Sequence, residues 1–332
     1  MEKIIMTSPK DTYQALMKLI DPARFHASFD EPLSRHSTWR IGGPADLLIE
    51  PHDAESIAAI CRYADARKLP LIVIGKGSNL LFDDAGFRGI VLKLGKYFSQ
   101  IVFDGNRITA DAGASVPKLA AMAARHSLTG LEHTCGIPGT LGGLVFMNGG
   151  SQNKAIGDCV EWVEMMTGNF GLQRLSKDEC EFSYRTSVFQ KNFCLLITRI
   201  GLFLETGLSQ DIRNAMKEIH EKRKTGFPLN LPNCGSVFKI DPALLETFGP
   251  PGKIIDTMGL KGFRKGDAEV SEKHANFIVN RGTATSGDVI RLIEEIRIRV
   301  QATTGRFLKC EVLYAPPDGN IIPLHKLFHD EG

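Results

Sequence analysis

What this chain lacks narrows its class before any motif is read. No apolar run approaches the ~18–20 residues that a membrane-spanning helix needs. The longest stretches, residues 69–74 and 195–204, are strand-sized or broken by Arg199. The opening residues, MEKIIMTSPKDTYQ, carry acids and no apolar core, so they read as something other than a secretory signal. Charge of one sign is also missing: 40 Lys and Arg stand against 38 Asp and Glu, a net +2. A protein that coats nucleic acid carries a strong basic excess, and this one does not. None of the seven cysteines pairs as CxxC, and the nine histidines form no HxH or HExxH cluster. That spacing excludes a zinc ribbon, speaks against a disulfide framework, and leaves reduced thiols that pack as small hydrophobes, with no metal site to be read. GxxxxGK[ST] and GxSxG are absent too, which excludes a Walker A loop and a serine-hydrolase elbow.

What remains is an ordinary globular composition, 43% hydrophobic and 23% charged, over 332 residues. That length exceeds one ordinary core and implies two or three domains. Glycine is the informative excess, with 33 residues concentrated in a few loops.

Residues 1–25 read as an arm that packs on the surface, its helix opened by a capping box at Ser8-Pro9-Lys10-Asp11. Residues 26–98 read as a β-α-β-loop-β unit. Asp53 caps a helix whose apolar face is Ile57, Ile60, Cys61 and Ala64, and a buried strand over 69–74 follows. Residues 99–205 read as α+β on a mainly antiparallel sheet, with strands at 101–103, 107–110, 160–167 and 195–204 and one helix over 116–126. Residues 206–315 form a third unit. It has helices at 211–224 and 287–303, the second opened by a capping box at residues 285–288, and strands at 236–240 and 309–314. The tail, 316–332, reads as a surface extension.

Two glycine loops carry the ligand-binding signal. Gly75-Lys76-Gly77-Ser78-Asn79 follows a buried strand at once, so its backbone can turn tightly and offer successive N–H groups to an anion. It is not a dinucleotide fingerprint, because Leu80 stands where a third small residue belongs and strands follow instead of a helix. The second loop, Gly136 to Gly150, has six glycines in fifteen residues and reads as a long, flat surface for a planar ligand and a pyrophosphate. Three further segments carry candidate chemistry. Arg185, between Tyr184 and Thr186, suits a carboxylate or phosphate. Ser236 follows Gly235 at the start of the expected strand. Glu311 lies between Cys310 and Val312, where a carboxylate is unusual and its pKa is open to a shift. His274 reads as a structural histidine.

Taken in order, IGGPADLLIEP, IGKGSNLL, GIPGTLGG followed by MN, YRTSVF, GSVFK, VSEKHANFIVN and the closing EV resemble the UDP-N-acetylenolpyruvoylglucosamine reductase family over residues 34–314. The chain is similar to its shorter type, since no insertion carrying an extra tyrosine loop follows Tyr184-Arg185. The resemblance implies an α+β fold: a two-part FAD-binding domain of the vanillyl-alcohol-oxidase/PCMH type, here 26–98 and 99–205, plus a smaller substrate domain, 206–315. It implies non-covalent FAD, with NADPH as reductant and UDP-N-acetylglucosamine enolpyruvate as substrate, reduced to UDP-N-acetylmuramate for peptidoglycan. Hydride would pass from flavin N5 to C3 and a proton from Ser236 to C2, while Arg185 and a protonated Glu311 polarise the substrate carboxylate. FAD would lie on Gly75, Lys76, Gly77, Ser78, Asn79, Gly136, Ile137, Pro138, Gly139, Thr140, Gly142, Gly143 and Asn148. The substrate would also meet Tyr184, Lys224 and Lys239. The implied setting is cytoplasmic, with small-molecule partners, no nucleic acid, no membrane and no metal; the oligomeric state stays open, a monomer being one reading. Thr186 and Ile240 depart from the family pattern and support an alternative, an FAD oxidoreductase of this fold acting on another carboxylate. A binding protein without activity is a third reading, opposed by the joint presence of Arg185, Ser236 and Glu311.

Overall fold

The computed structural model describes residues 9–191 and 196–328, so Ser8 of the expected capping box, Cys194 and Leu195 lie outside the described residues. The chain divides into two compact units, and neither is continuous in sequence. One comprises residues up to Glu31, Ala45–Gly75 and Arg88–Ile219; the other comprises Pro32–Pro44, Lys76–Phe87 and everything from His220. Two short pieces from within 26–98 thus join the C-terminal part of the chain, a grouping that hydrophobic periodicity does not reveal.

The first unit is built on two large sheets, beside a two-stranded pair of Leu128–Thr129 and Glu205–Thr206. In the four-stranded one the order is Phe25–Pro32, Pro44–Pro51, Phe87–Lys93 and Leu71–Ile74, the last two running parallel with Leu71 opposite Ile90. The helix Ala54–Ala66 links the second strand to the fourth. Asp53 starts it by accepting from the Ser56 N–H at 2.8 Å, and it buries Ile57, Ile60 and Ala64, as the sequence spacing requires. The five-stranded sheet is antiparallel, in the order Leu172–Ser176, Val160–Met166, Leu196–Phe203, Arg107–Asp111 and Ile101–Asp104. Its register shifts at Gly201, which faces Trp162. A Cβ on Gly201 would fall 2.7 Å from the indole Cδ2, so only glycine lets that ring lie against the strand. The N-terminal helix Pro9–Met17 packs into this core through Tyr13 and Leu16, and Tyr63 Oη donates to the Thr12 carbonyl at 2.5 Å.

The second unit has its own core around Trp39, which is fully buried. The Trp39 indole N–H donates to the Ile278 carbonyl at 2.7 Å, and Asn280 Nδ2 donates to the Trp39 carbonyl at 3.1 Å. The long helix Ser286–Thr304 presents Val289, Leu292, Ile293, Ile296 and Val300 to that core. The capping box expected between Thr285 and Asp288 forms. Asp84 reinforces the same helix end, its carboxylate accepting from Ser286 N at 2.9 Å and from Ser286 Oγ at 2.8 Å. Arg297 is only 2% exposed: its Nε donates to the Leu308 carbonyl at 2.9 Å, and its guanidinium lies 4.9 Å from the Phe307 ring and 5.0 Å from the Phe328 ring. Two three-stranded sheets complete the unit. One is Arg264–Lys265, Ala268–Val270 and Ile278–Asn280; the other is Ile322–Pro323, Leu313–Ala315 and Leu80–Phe82.

Three expectations are corrected here. The tail is no surface extension, because Ile322–Pro323 pairs with Leu313–Ala315, Leu324 is fully buried, and His325 Nδ1 accepts the Cys310 N–H at 3.1 Å. Residues 236–240 form no strand and keep only an isolated bridge between Phe238 and Cys310. Glu311 sits in a bend before the strand Leu313–Ala315 and is half-buried. Among the described residues no helix is long and apolar enough to cross a membrane.

Candidate active site

Strand Leu71–Ile74 leads straight into the first glycine loop, and strand Leu80–Phe82 follows it, so no helix opens on this loop. Gly75, in the first unit, lies against Thr140: a Cβ there would overlap Thr140 Oγ1 and sit 2.9 Å from its Cγ2. The two glycine loops therefore touch at this pair. Gly77, in the second unit, adopts φ +59°, and a Cβ on it would strike the His36 carbonyl. The Gly77 carbonyl accepts the Thr38 N–H at 3.3 Å. Thr38 Oγ1 is buried without a hydrogen-bond partner among the described residues. Asn79 Nδ2 donates to the Glu311 carbonyl at 3.1 Å, which ties the loop to residue 311 within the second unit. Lys76 is exposed, and Ser78 is half-buried.

The second glycine stretch differs from the expected flat surface, because its centre is the short helix Leu141–Phe146. Several of its glycines answer to the chain itself. A Cβ on Gly142 would lie 2.8 Å from Ala112 Cβ, and one on Gly149 would lie 2.7 Å from Leu144 Cδ1. The backbone is pinned by Leu141 N–H to Ala114 O and Gly142 N–H to Ala112 O, both 2.8 Å, and by Val116 N–H to Gly139 O at 3.1 Å. Pro138 and Gly143 stay exposed, Gly136 and Ile137 are half-buried, and Thr140 is buried. Asn148 is buried with φ +41°; its Nδ2 donates to the Ser183 carbonyl at 2.8 Å and its Oδ1 accepts the Gly157 N–H at 3.0 Å. Its carboxamide thus fastens the glycine stretch to the turn that carries Arg185.

That turn is tight. Ser183 and Thr186 exchange backbone hydrogen bonds at 3.1 and 3.0 Å, and Arg185 is held at φ +53°, a left-handed conformation that costs a non-glycine residue about 1 kcal/mol or more. Arg185 is half-buried, and its Nη2 donates to the Gly150 carbonyl at 3.1 Å. Its guanidinium lies 5.3 Å from the ring of Tyr184, which is 55% exposed. An ordinary exposed strand arginine would need none of this support.

In the second unit, Ser236 and Glu311 lie on neighbouring antiparallel segments. Glu311 N–H donates to the Val237 carbonyl at 2.8 Å, and Lys239 N–H donates to the Lys309 carbonyl at 2.9 Å. Ser236 is half-buried and follows Gly235, whose φ is +84° and whose N–H is held by Asn233 Oδ1 at 2.9 Å. Burial pushes the nearby Cys234 thiol well above its usual range, so it stays a protonated core side chain. Lys239 is half-buried, while Lys224 is exposed near the end of the helix Ser209–Gly226. His274 packs against Phe227 and Phe277, with ring centroids 5.3 and 4.9 Å away, and burial lowers its pKa, in keeping with a structural role. Sequence reasoning missed Thr38 and Asn276, which contact the loop and the Ser236 segment through hydrogen bonds that no local pattern announces. Among the described residues no group of three or more His, Cys, Asp or Glu could hold a metal ion.

Comparison with known proteins agrees with these features. Residues 45–176 match the model of an FAD binding domain. Residues 227–315 match the model of the UDP-N-acetylenolpyruvoylglucosamine reductase C-terminal domain. The chain is 42% identical over 307 residues to UDP-N-acetylenolpyruvoylglucosamine reductase 1 of Corynebacterium glutamicum, covering 92% of this chain and 91% of that one. It is 43% identical over 282 residues to the reductase of Heliobacterium modesticaldum, covering 85% and 88%. It also resembles the crystal structure of the enzyme from Thermus caldophilus, at 33% identity and a TM-score of 0.73, over 88% of this chain and 98% of that one.

Proposed function

This chain belongs to the UDP-N-acetylenolpyruvoylglucosamine reductase family, and from that premise we propose which of its residues carry the reaction. It is an α+β flavoprotein oxidoreductase that uses NADPH to reduce UDP-N-acetylglucosamine enolpyruvate to UDP-N-acetylmuramate in peptidoglycan precursor synthesis. The alternative, a different carboxylate substrate, is not favoured: Thr186 and Ile240 are single departures in a chain related to these reductases over most of its length. We propose further that it acts in the cytoplasm, on small molecules alone.

The residues present fit FAD. Gly143 and Pro138 leave an exposed edge on the second loop, Gly75 and Gly77 admit no side chain, and the buried Thr38 hydroxyl beside Gly77 has no hydrogen-bond partner among the described residues. Residues 75–79 and 136–143 would hold the cofactor, with Asn148 securing the second stretch from behind. Bound FAD would supply the hydride chemistry between NADPH and C3 of the enolpyruvyl group. The protein's share is to take up the negative charge that hydride addition leaves at C2 and to protonate that carbon. Arg185 and the acid form of Glu311 clamp the substrate carboxylate, which then accepts electron density as C3 gains hydride. Ser236 Oγ delivers the proton to C2, with Tyr184, Lys224 and Lys239 contributing substrate contacts.

The observation that carries this reading is the backbone tie between Val237 and Glu311, which sets the serine segment beside the carboxylate segment. Anaerobic stopped flow tests it. NADPH should bleach the flavin, and UDP-N-acetylglucosamine enolpyruvate should restore the oxidised spectrum. In S236A bleaching should persist while reoxidation by the substrate slows by ~10²–10⁴-fold; an S236A variant that reoxidises at the native rate removes Ser236 from the proton step.

A further inference from the structure

The Ser236 segment is held on one side by residues 309–311, and its other side raises a problem of hydrogen bonding. Phe238 faces Cys310 as an isolated antiparallel bridge, and the bonds flanking that bridge run from Glu311 N to Val237 O and from Lys239 N to Lys309 O. In such a pair the N–H and C=O of Phe238 itself point away from the partner strand. Phe238 is buried, so both groups would be costly to leave unmet. No strand supplies them. Asn276 does: its Oδ1 accepts the Phe238 N–H at 2.9 Å, and its Nδ2 donates to the Phe238 carbonyl at 3.0 Å. One carboxamide stands in for a neighbouring peptide unit. The Asn276 carbonyl also accepts the Val237 N–H at 2.8 Å, and that N–H belongs to the peptide plane joining Ser236 to Val237. Asn276 is 6% exposed, and its own N–H is taken by His274 Nδ1 at 3.2 Å, so the clamp is rigid at its base.

We infer that Asn276 is a positioning residue for the proton-delivering serine: it fixes the peptide plane that carries Ser236, while Glu311 grips the opposite edge of the same segment. The inference rests on the assignment of Ser236 as proton donor. A displacement of about 1 Å at a reacting group can cost ~100-fold in rate, so loosening this segment should tell on proton delivery and not on flavin reduction.

The flavin-loaded variants N276A, N276D, S236A and S236A/N276A decide the matter. In N276A, bleaching by NADPH should match the unsubstituted enzyme, while reoxidation by UDP-N-acetylglucosamine enolpyruvate slows ~10–100-fold with a larger solvent isotope effect. Amide exchange at Val237 and Phe238 should quicken in the same protein. Adding N276A to S236A should slow reoxidation no further, since the first change acts through the second. In N276D the carboxylate faces the Phe238 carbonyl and lacks the donor; protonation restores it, so the rate relative to the unsubstituted enzyme should climb as pH falls. Native reoxidation in N276A, equal slowing of both half-reactions, or multiplied losses in the double variant would each overturn the inference. If N276A does not fold, a flat relative pH profile in N276D overturns it. Native reoxidation in S236A would remove the underlying assignment as well; slow S236A with unaffected N276A removes only the role of Asn276.

Discussion

Consider Gly75→Ala. The backbone at Gly75 has no left-handed φ, so alanine meets no conformational barrier of its own there. The barrier is Thr140. The new Cβ would stand 2.9 Å from Thr140 Cγ2 and 3.1 Å from Thr140 Cβ, and it would overlap Oγ1. Carbon pairs rest at about 3.5–4.0 Å, so something must move by several tenths of an ångström. Thr140 has little room to give: it is buried, bridged to Ser115, and its neighbours Leu141 and Gly142 are bonded to Ala114 and Ala112. Over-packing of this kind costs about 1–3 kcal/mol. At about 2–4 °C per kcal/mol for a unit of this size, melting should fall by several degrees. Removing the obstacle should reverse much of the loss, so T140A in the G75A background should be more stable than the sum of the single changes predicts, with a coupling of about 0.5–3 kcal/mol. Denaturant melts give the cycle, and the ratio of flavin to protein absorbance gives cofactor retention. The reasoning fails if G75A melts like the parent protein, or if the four stabilities add. Recovery of stability without recovery of flavin would assign Thr140 a direct part in holding FAD.

Two further outcomes follow from the second unit and from buried histidines. D84A removes the acceptor for Ser286 N–H and Ser286 Oγ at the start of the long helix and should lower the urea stability by about 1–2 kcal/mol without altering NADPH bleaching; an unchanged midpoint would mean that the Thr285–Asp288 box caps the helix alone. Burial lowers the pKa of both His133 and His274 below the usual imidazole value. The unfolded chain then takes up protons first as pH drops through about 6.5, so stability should be full above that pH and decline below it, toward the lowered folded values. Urea midpoints between pH 7.5 and 5.5 check this, and a midpoint that rises on acidification refutes it.

Much of the architecture was legible because it rests on short-range chemistry. Asp53 and the Thr285–Asp288 box announce helix starts within four residues, and Ile57, Ile60 and Ala64 repeat at helical spacing. The first glycine loop could be separated from a dinucleotide fingerprint by Leu80 alone, and a strand does follow it. The failures are long-range. Residues 309–312 alternate like a strand, yet the chain bends there, because Asn79 takes the Glu311 carbonyl from 232 residues away. The glycine stretch hid a helix because glycine scores as a helix breaker, whereas here Gly142 is wanted for close approach to Ala112. Asn276 carries no local sign of its role, which depends on Phe238, 38 residues earlier. Arg185 showed no sequence sign of its left-handed backbone.

The buried indole of Trp39 sets a condition on how the chain is made. Its hydrogen-bond acceptor, the Ile278 carbonyl, is 239 residues further on. At ribosomal rates of about 5–20 residues per second, Trp39 must wait roughly 10–50 s for that partner. Its neighbours in the same core, Ile41 and Leu81, wait with it for a helix that ends at Thr304. A nascent chain released before that point carries these apolar side chains with no place to put them. Fragments ending near residue 219 should therefore stick to chaperones or to one another, and the carboxy-terminal half expressed alone should not fold as an independent module.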